Sequence, residues 1–346
     1  MSEYRYNLIT NRWIILSAQR GHRPSDFSRC YSPSISEYDE NCPFCPGQEK
    51  MTPPEIFALR PTPTKPDSPG WTIRIVPNKY PALHEKSEGR QDHLSTVQPA
   101  LGRHEVLIES PRHNASFDQH DFEHARQICH TLRRRYLYHQ KNRQTRLISI
   151  FYNHGPASGA SLAHPHFQLM AQYIIPSRLK GQIEHCQNYW REHQQNVFDV
   201  VIQNERADKS RLVAENQSFI AFCPYASMTS YELYLIPKIN QSHFGMIPDD
   251  LLDDFTRLLR HVLQRLRHNL NDPDYNLVFH TAPSDHQDYH GFRWYVQLYP
   301  RLNVSGGFEL ATDVYINTLS PESAAQAYRD EYISSSPMGL NPPKDR

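Results

Sequence analysis

The chain lacks any net charge, because 37 lysines and arginines balance 37 aspartates and glutamates. A neutral protein carries no broad electrostatic field that would attract nucleic acid or an anionic membrane, so we expect neither as a partner. The sequence also lacks an apolar run long enough to span a bilayer, and its beginning has no signal-peptide pattern. These absences predict a cytoplasmic protein whose anion-binding sites are local.

Cysteine is scarce as well, with six in 346 residues. Only Cys42 and Cys45, in NCPFCPG, are closely spaced, which argues against a disulfide framework. A C-x-x-C turn can bring two thiolates to one metal ion, although a redox pair or a coincidence gives the same pattern. Two downstream histidines, His113 and His164, are candidates for the remaining ligands of a closed, tetrahedral zinc site.

Proline and aromatic residues are plentiful, with 27 Pro, 20 Tyr and 15 Phe, and they predict a loop-rich α+β protein with ample apolar surface to bury. The chain exceeds one typical domain, and the order strand, strand, helix, strand, strand occurs twice. Residues 213–222, for example, resemble residues 75–83. The repeat predicts two similar units, residues 1–176 and 177–346, packed about a pseudo-twofold axis and sharing one sheet.

The most informative stretch is FYNHGPASGASLAHPHFQLM, residues 151–170. If its HPHFQ segment is a strand, the side chains of His164, His166 and Gln168 lie on one face. The preceding loop has the small residues that let backbone N–H groups approach a phosphate, namely Gly155, Ser158, Gly159 and Ser161. The pattern indicates phosphate chemistry. The alternative is a pair of ordinary strand histidines beside a turn.

The HPH-x-Q motif after a small-residue loop resembles the histidine-triad superfamily, specifically its galactose-1-phosphate uridylyltransferase branch. The later segments GGFEL and VYIN are similar to the bacterial and plant uridylyltransferase-like group, and the resemblance covers roughly residues 4–330. It implies duplicated histidine-triad-like units with a mostly antiparallel sheet flanked by helices. It also implies that His166 is the nucleophile, and that Gln168, which replaces a third histidine of the hydrolases, favours transfer over hydrolysis.

The resemblance assigns further roles by position. A structural Zn²⁺ would be held by Cys42, Cys45, His113 and His164. The nucleotide and its phosphates would contact Arg20, Arg23, Asn78, Lys79, Asn153, Gly159 and Ser161. The second half has Tyr295 and Gln297 where the first half has its histidine pair, and it has no second C-x-x-C. We therefore expect one active half and one strong metal site, and a second, weaker metal site stays an open question.

Phe308 and Glu309 match the segment that, in relatives, reaches the sugar in the partner subunit's active site. The resemblance thus implies a homodimer with shared sites. The alternative for these two residues is a strand end with an exposed carboxylate. Phe308 stands where the best-known enzymes have a tyrosine, and Asn303 where they have a lysine, which leaves the sugar specificity open.

Three functions fit the sequence. The first is a UDP-glucose:hexose-1-phosphate uridylyltransferase of galactose metabolism, which works through a nucleotidyl-histidine intermediate. The second is an ADP-glucose phosphorylase, in which inorganic phosphate is the acceptor. The third is a catalytically inactive, zinc-stabilised nucleotide-binding protein. The sequence does not distinguish a uridine donor from an adenosine donor.

Overall fold

The computed structural model describes residues 2–18, 36–86, 98–285, 287 and 289–330. The strands in these ranges are β1 (Glu3–Asn7), β2 (Arg12–Leu16), β3 (Phe57–Leu59), β4 (Ile73–Pro77), β5 (Gly102–Ile108), β6 (Leu147–His154), β7 (His166–Gln172), β8 (Leu212–Glu215), β9 (Phe219–Phe222), β10 (Leu233–Pro237), β11 (Tyr275–His280), β12 (Tyr295–Pro300) and β13 (Tyr315–Asn317). The α-helices are α1 (Phe122–Gln140), α2 (Ser177–His193), α3 (Val197–Asp208), α4 (Asp249–Leu270), α5 (Gly307–Thr312) and α6 (Pro321–Arg329).

Ten strands form one sheet in the order β3-β4-β5-β7-β6-β11-β12-β10-β9-β8. Every neighbouring pair in it is antiparallel. Counted from its two edges, the sheet has corresponding strands in the same order. From one edge the strands are β3, β4, β5, β7 and β6, and from the other they are β8, β9, β10, β12 and β11. The two five-stranded halves meet at β6 and β11, where Phe151 lies opposite Val278. The predicted α+β fold with a mostly antiparallel sheet is confirmed, while the division at residue 176 stays a prediction.

Helices α1 and α4 cover one face of this sheet. Alternation along the strands turns Ile150 of β6 and Leu277 of β11 toward this face, where they join a core cluster with Leu132 of α1 and Leu259 of α4. Asp121 caps α1 by accepting a hydrogen bond from the backbone N–H of His124 at 2.8 Å. The opposite face of β5, β6, β7 and β11 carries both apolar and polar side chains and holds the site described below.

The N-terminal strands pack against the second half of the chain. β1 and β2 form a hairpin, and β2 pairs in parallel with β13 to make a three-stranded sheet. Asn7 donates to the hydroxyl of Tyr234 on β10 at 3.2 Å, and Ile9 is buried in a cluster with Phe222 of β9. Residues near the start of the chain therefore stabilise the half that begins after residue 176.

No helix in the described ranges is both long and apolar enough to cross a membrane.

Candidate active site

The residues His166 and Gln168 lie at the start of β7, on the open face of the sheet. Phe167 and Leu169 point the other way into the core, as strand alternation requires. His166 is 6% exposed, and Gln168 is half-buried beside it. The two side chains that the sequence predicts to share a face therefore do so.

The ring of His166 is oriented by the backbone two residues earlier. Its Nδ1 lies 2.8 Å from the carbonyl oxygen of His164, so Nδ1–H donates and the lone pair is on Nε2. Burial lowers the pKa of His166, which favours the neutral ring at pH 7. The Phe44 ring packs edge-on against the imidazole, with centroids 5.2 Å apart. The result is a fixed, neutral imidazole with a nucleophilic nitrogen.

A cleft of about 410 Å³ lies over β4, β5 and β7, a size typical of small-ligand sites. Its apolar wall includes Phe44, Val76 and Val106, and its polar lining includes His166, Gln168, Ser161, Asn78 and Lys79. The structure thus brings five of the predicted site residues around one cavity. The carbonyl of Met51 accepts from Lys79 Nζ at 3.1 Å, and Asn78 Oδ1 accepts from the N–H of Tyr80 at 2.9 Å.

His104 is a further site residue, and it was not predicted from the sequence. It lies on β5, and its Nε2 is 2.8 Å from Oε1 of Gln168 and 3.2 Å from Nδ2 of Asn78. Burial lowers the pKa of His104. In the sequence, His104 lies two positions before Val106, so the two side chains lie on the same face of the strand. Only the register of β5 against β7 shows that His104 meets Gln168.

The four predicted metal ligands meet in one buried cluster. Their ligand atoms all lie within 4.8 Å of one another: Cys42, Cys45, His113 and His164. Nδ1 of His164 is 3.7 Å from Sγ of Cys42 and 3.6 Å from Sγ of Cys45, and Nδ1 of His113 is 3.5 Å from Sγ of Cys45. This is the one such group of three or more His, Cys, Asp or Glu residues in the described ranges.

The cluster has the dimensions of a tetrahedral zinc site. Zinc bonds of about 2.3 Å to sulfur and about 2.0–2.1 Å to nitrogen place S and N about 3.6 Å apart at a tetrahedral angle. The three S···N distances match that value. Nε2 of His164 donates to the carbonyl of Ser110 at 2.9 Å, which leaves Nδ1 as the ligand atom. A metal held here would fix His164, whose carbonyl orients His166.

The loop before β7 is held by side chains of the second half. Gly155 and Gly159 have φ of +77° and +83°, and a short 3₁₀ helix, Pro156–Ser158, lies between them. Asp274, just before β11, accepts from the N–H of Ala157. Asn276 on β11 donates to Asn153 Oδ1 at 2.7 Å and to the carbonyl of Ser158 at 2.9 Å.

Asn153 itself lies in a neighbouring cavity rather than in the cleft. This second cavity, of about 480 Å³, spans β6, β11 and β12 and includes Arg178 and Arg301. Arg301 donates through Nε to Oδ1 of Asn276. Asn153 and His166 share the open face of adjacent strands, so the two cavities adjoin at the β6–β7 boundary.

The remaining predicted residues lie elsewhere. Arg20 and Arg23 fall outside the described residues. Phe308 and Glu309 belong to α5 and are not a strand end. Phe308 is 44% exposed, and Glu309 Oε2 accepts from the N–H of Gly306 at 2.9 Å. Neither lines the cleft of its own chain.

Comparison with known proteins decides the family. A family model described as the N-terminal domain of galactose-1-phosphate uridyl transferase matches residues 1–195, more than half of the chain. The protein belongs to the galactose-1-phosphate uridylyltransferase family. A model of a domain of unknown function also matches residues 112–334.

Relatives in this family extend over nearly the whole chain. ADP-glucose phosphorylase from Arabidopsis thaliana is 31% identical over 95% of this chain and 92% of its own length. Galactose-1-phosphate uridylyltransferase from Saccharomyces cerevisiae is 27% identical, with 95% and 94% covered. The crystal structure of the Arabidopsis phosphorylase with bound ADP-glucose aligns with a TM-score of 0.80 at 30% identity, covering 96% of this chain and 100% of that chain. The chain is thus an enzyme of this nucleotidyltransferase family.

Proposed function

We propose that this enzyme transfers a nucleoside monophosphate from a nucleoside-diphosphate hexose to a phosphate-bearing acceptor, with His166 as the carrier. The observation that carries the proposal is the buried His166 imidazole whose Nε2 is left available by the hydrogen bond from Nδ1 to the carbonyl of His164, at the wall of a ligand-sized cleft. A neutral imidazole is both a good nucleophile toward phosphorus and a good leaving group.

In the first half-reaction, the lone pair of His166 Nε2 attacks the α-phosphorus of the donor. The Nε2–P bond forms, the bond from the α-phosphorus to the bridging oxygen breaks, and the electron pair leaves with hexose-1-phosphate. Nδ1 keeps its proton and donates a hydrogen bond to the carbonyl of His164, and this bond stabilises the cationic ring of the intermediate.

In the second half-reaction, a phosphate oxygen of the acceptor attacks the same phosphorus. The new O–P bond forms, the Nε2–P bond breaks, and the electron pair returns to the His166 ring. In this mechanism Gln168 hydrogen-bonds a nonbridging oxygen of the transferred group. Its position beside His166 in the cleft, which Ser161 also lines, supports this role. The closed Cys₂His₂ cluster would hold Zn²⁺ in a structural role, because it has no open ligand position.

Two donor–acceptor pairs fit this mechanism. The sequence alone favours UDP-glucose with a hexose-1-phosphate. The 31% identity to the Arabidopsis ADP-glucose phosphorylase over nearly the whole chain supports ADP-glucose with inorganic phosphate instead. Asn78 and Lys79, which the resemblance places beside the base, engage backbone groups of Tyr80 and Met51, and these contacts favour neither base.

A labelling experiment tests the proposal. The protein is incubated with UDP-glucose or ADP-glucose that carries radiolabel in the α-phosphate, with no acceptor present. We expect acid-labile label on the protein, and its release as a labelled nucleotide on addition of galactose-1-phosphate or inorganic phosphate. The donor and acceptor that work identify the pair.

The control compares two histidine variants. His166→Ala should accept no label, whereas His193→Ala, at an exposed position at the end of α2, should behave as the unsubstituted protein. Retention of near-normal turnover by His166→Ala would refute the mechanism. Absence of label from both donors would favour the inactive nucleotide-binding protein.

A further inference from the structure

His104 contacts Gln168, a side chain of the cleft whose orientation matters for chemistry. It lies on the open face of β5, on the same side as Val106, which pairs with Gln168 of β7. Its Nε2 is 2.8 Å from Gln168 Oε1, which is the shortest contact of either ring nitrogen. An amide has a donor end and an acceptor end, so the partner of Oε1 decides which end faces the cleft.

The surroundings of the ring identify its tautomer. The backbone N–H of Ala82 points at Nδ1 at 3.4 Å, so Nδ1 accepts and Nε2 carries the hydrogen. Nε2–H therefore donates to Oε1 of Gln168. Nδ2 of Asn78 is farther from Nε2, at 3.2 Å, and two donors do not share a hydrogen bond. With its carbonyl engaged, Gln168 has its NH₂ group free for the cleft.

The second half of the chain carries the opposite arrangement at the same position. Tyr234 pairs with Gln297 as Val106 pairs with Gln168, so Gln297 matches Gln168. The predicted match of Tyr295 and Gln297 with the histidine pair is therefore wrong by two residues, because Tyr295 matches His166. Glu232, two residues before Tyr234, matches His104. Glu232 accepts from Nε2 of Gln297. The NH₂ group of Gln297 is thus engaged by an acceptor, which is the reverse of the contact between His104 and Gln168.

The difference between His104 and Glu232 agrees with the presence of the histidine pair in one half and its absence from the other. The half with the histidine pair supplies a hydrogen-bond donor to its glutamine, and the half with Tyr295 in place of a histidine supplies an acceptor. A transferred phosphoryl group has only acceptor oxygens, so a glutamine can help it only through NH₂.

We propose that His104 is a positioning residue that fixes the amide of Gln168 with its NH₂ group toward the transferred phosphoryl group. The inference rests on the proposed function, because Gln168 acts in it as the donor to that group. His104 would act through Gln168 and would not itself touch the substrate.

Three substitutions at one position test this. His104→Gln places an amide donor near the position of Nε2, His104→Glu has nearly the same shape but only acceptors, and His104→Met has neither and no charge. We expect His104→Gln to keep the rate of histidine nucleotidylation within about threefold. His104→Glu and His104→Met should lower it about 10-fold or more, below the roughly 10²–10³-fold cost of deleting a transition-state donor outright. The thermal midpoint of each variant reports its folding.

The same substitutions in a Gln168→Ala background separate positioning from other effects. Because His104 acts through Gln168, none of them should change the residual rate by more than about twofold there. An undiminished effect of His104→Glu or His104→Met in that background would overturn the inference, as would a normal rate for His104→Met alone. If His104→Glu or His104→Met fails to fold, His104→Gln still tests the inference. A loss of nucleotidylation rate in His104→Gln as large as the loss in Gln168→Ala would overturn it.

Failure of the inference and failure of the proposed function give different results. Labelling of the unsubstituted protein with no dependence on His104 rejects only the positioning role. Absence of labelling in the unsubstituted protein rejects the proposed function and the role of His104 together.

Discussion

Gly155 occupies a backbone conformation, φ +77° and ψ 162°, that is essentially restricted to glycine. A Cβ at this position would lie 1.9 Å from Oδ1 of Asp274, the carboxylate that holds the loop through the N–H of Ala157. We expect Gly155→Ala to lower the free energy of unfolding by about 3 kcal/mol, from backbone strain of about 1–3 kcal/mol and displacement of a buried carboxylate. Nucleotidylation should fall with it. Denaturant unfolding and the labelling rate measure the two effects.

Gly159 provides the matched control. It also has positive φ, +83°, but a Cβ there would meet no atom within 4 Å. Gly159→Ala should therefore cost only the strain of a left-handed residue, about 1 kcal/mol. Equal losses of unfolding free energy in Gly155→Ala and Gly159→Ala would show that the clash with Asp274 adds nothing to the destabilisation.

Single residues of the site were predictable where a motif fixed their spacing. Cys42 and Cys45 are three positions apart, and His164 and His166 are two apart on a strand, so local geometry places each pair. His104 and Asp274 could not be found in this way. Each meets the site through a strand register or a cross-half contact that depends on tertiary packing.

The segment around the start of β7 is fastened by the metal cluster, whose ligands come from three separate places: the 42–45 turn, His113 after β5, and His164 before β7. We expect about one zinc per chain and a lowered thermal midpoint after chelation, because a structural zinc contributes directly to folding free energy. Elemental analysis and thermal unfolding check this.

Two cysteine variants sharpen the test. Cys42→Ser should lose zinc, while Cys129→Ala, a buried thiol of α1 outside the cluster, should retain it even if its midpoint falls. A metal-free protein whose midpoint does not respond to chelation would contradict the zinc site.

The repeat of strands was predictable, but the matching of the short strands was not. The sequence pattern predicts that residues 213–222 match residues 75–83. In the structure Phe222 takes the place of Val76, because it pairs with Tyr234 as Val76 pairs with Val106. Residues before Phe219 belong to the turn and to β8, which matches β3. Short apolar runs resemble one another, so only their hydrogen-bonded partners identify them.

At the scale of the whole molecule, the position of α5 bears on assembly. Phe308 is partly exposed and Glu309 caps its own helix, away from the cleft of its chain. If this segment completes the sugar site of a partner subunit, each active site draws on two chains. Mixing His166→Ala subunits with Glu309→Ala subunits, each inactive alone, should then restore part of the activity. One site of a mixed dimer carries both lesions and the other carries neither.

Size-exclusion chromatography and isotope-tagged subunits verify that the mixed dimer has formed. A verified mixed dimer without activity would reject the shared site. A fully active monomer would do the same, since it would need nothing from a partner.

The contacts of Asp274 and Asn276 with the loop before β7 have a consequence for how the sequence can diverge. A duplicated half without its own histidine pair would ordinarily be free to accumulate substitutions on its open face. Here two of its side chains hold Ala157, Ser158 and Asn153 of the other half. We therefore expect selection for activity to act on Asp274 and Asn276 as strongly as on the loop itself, so that the two halves diverge as one functional unit.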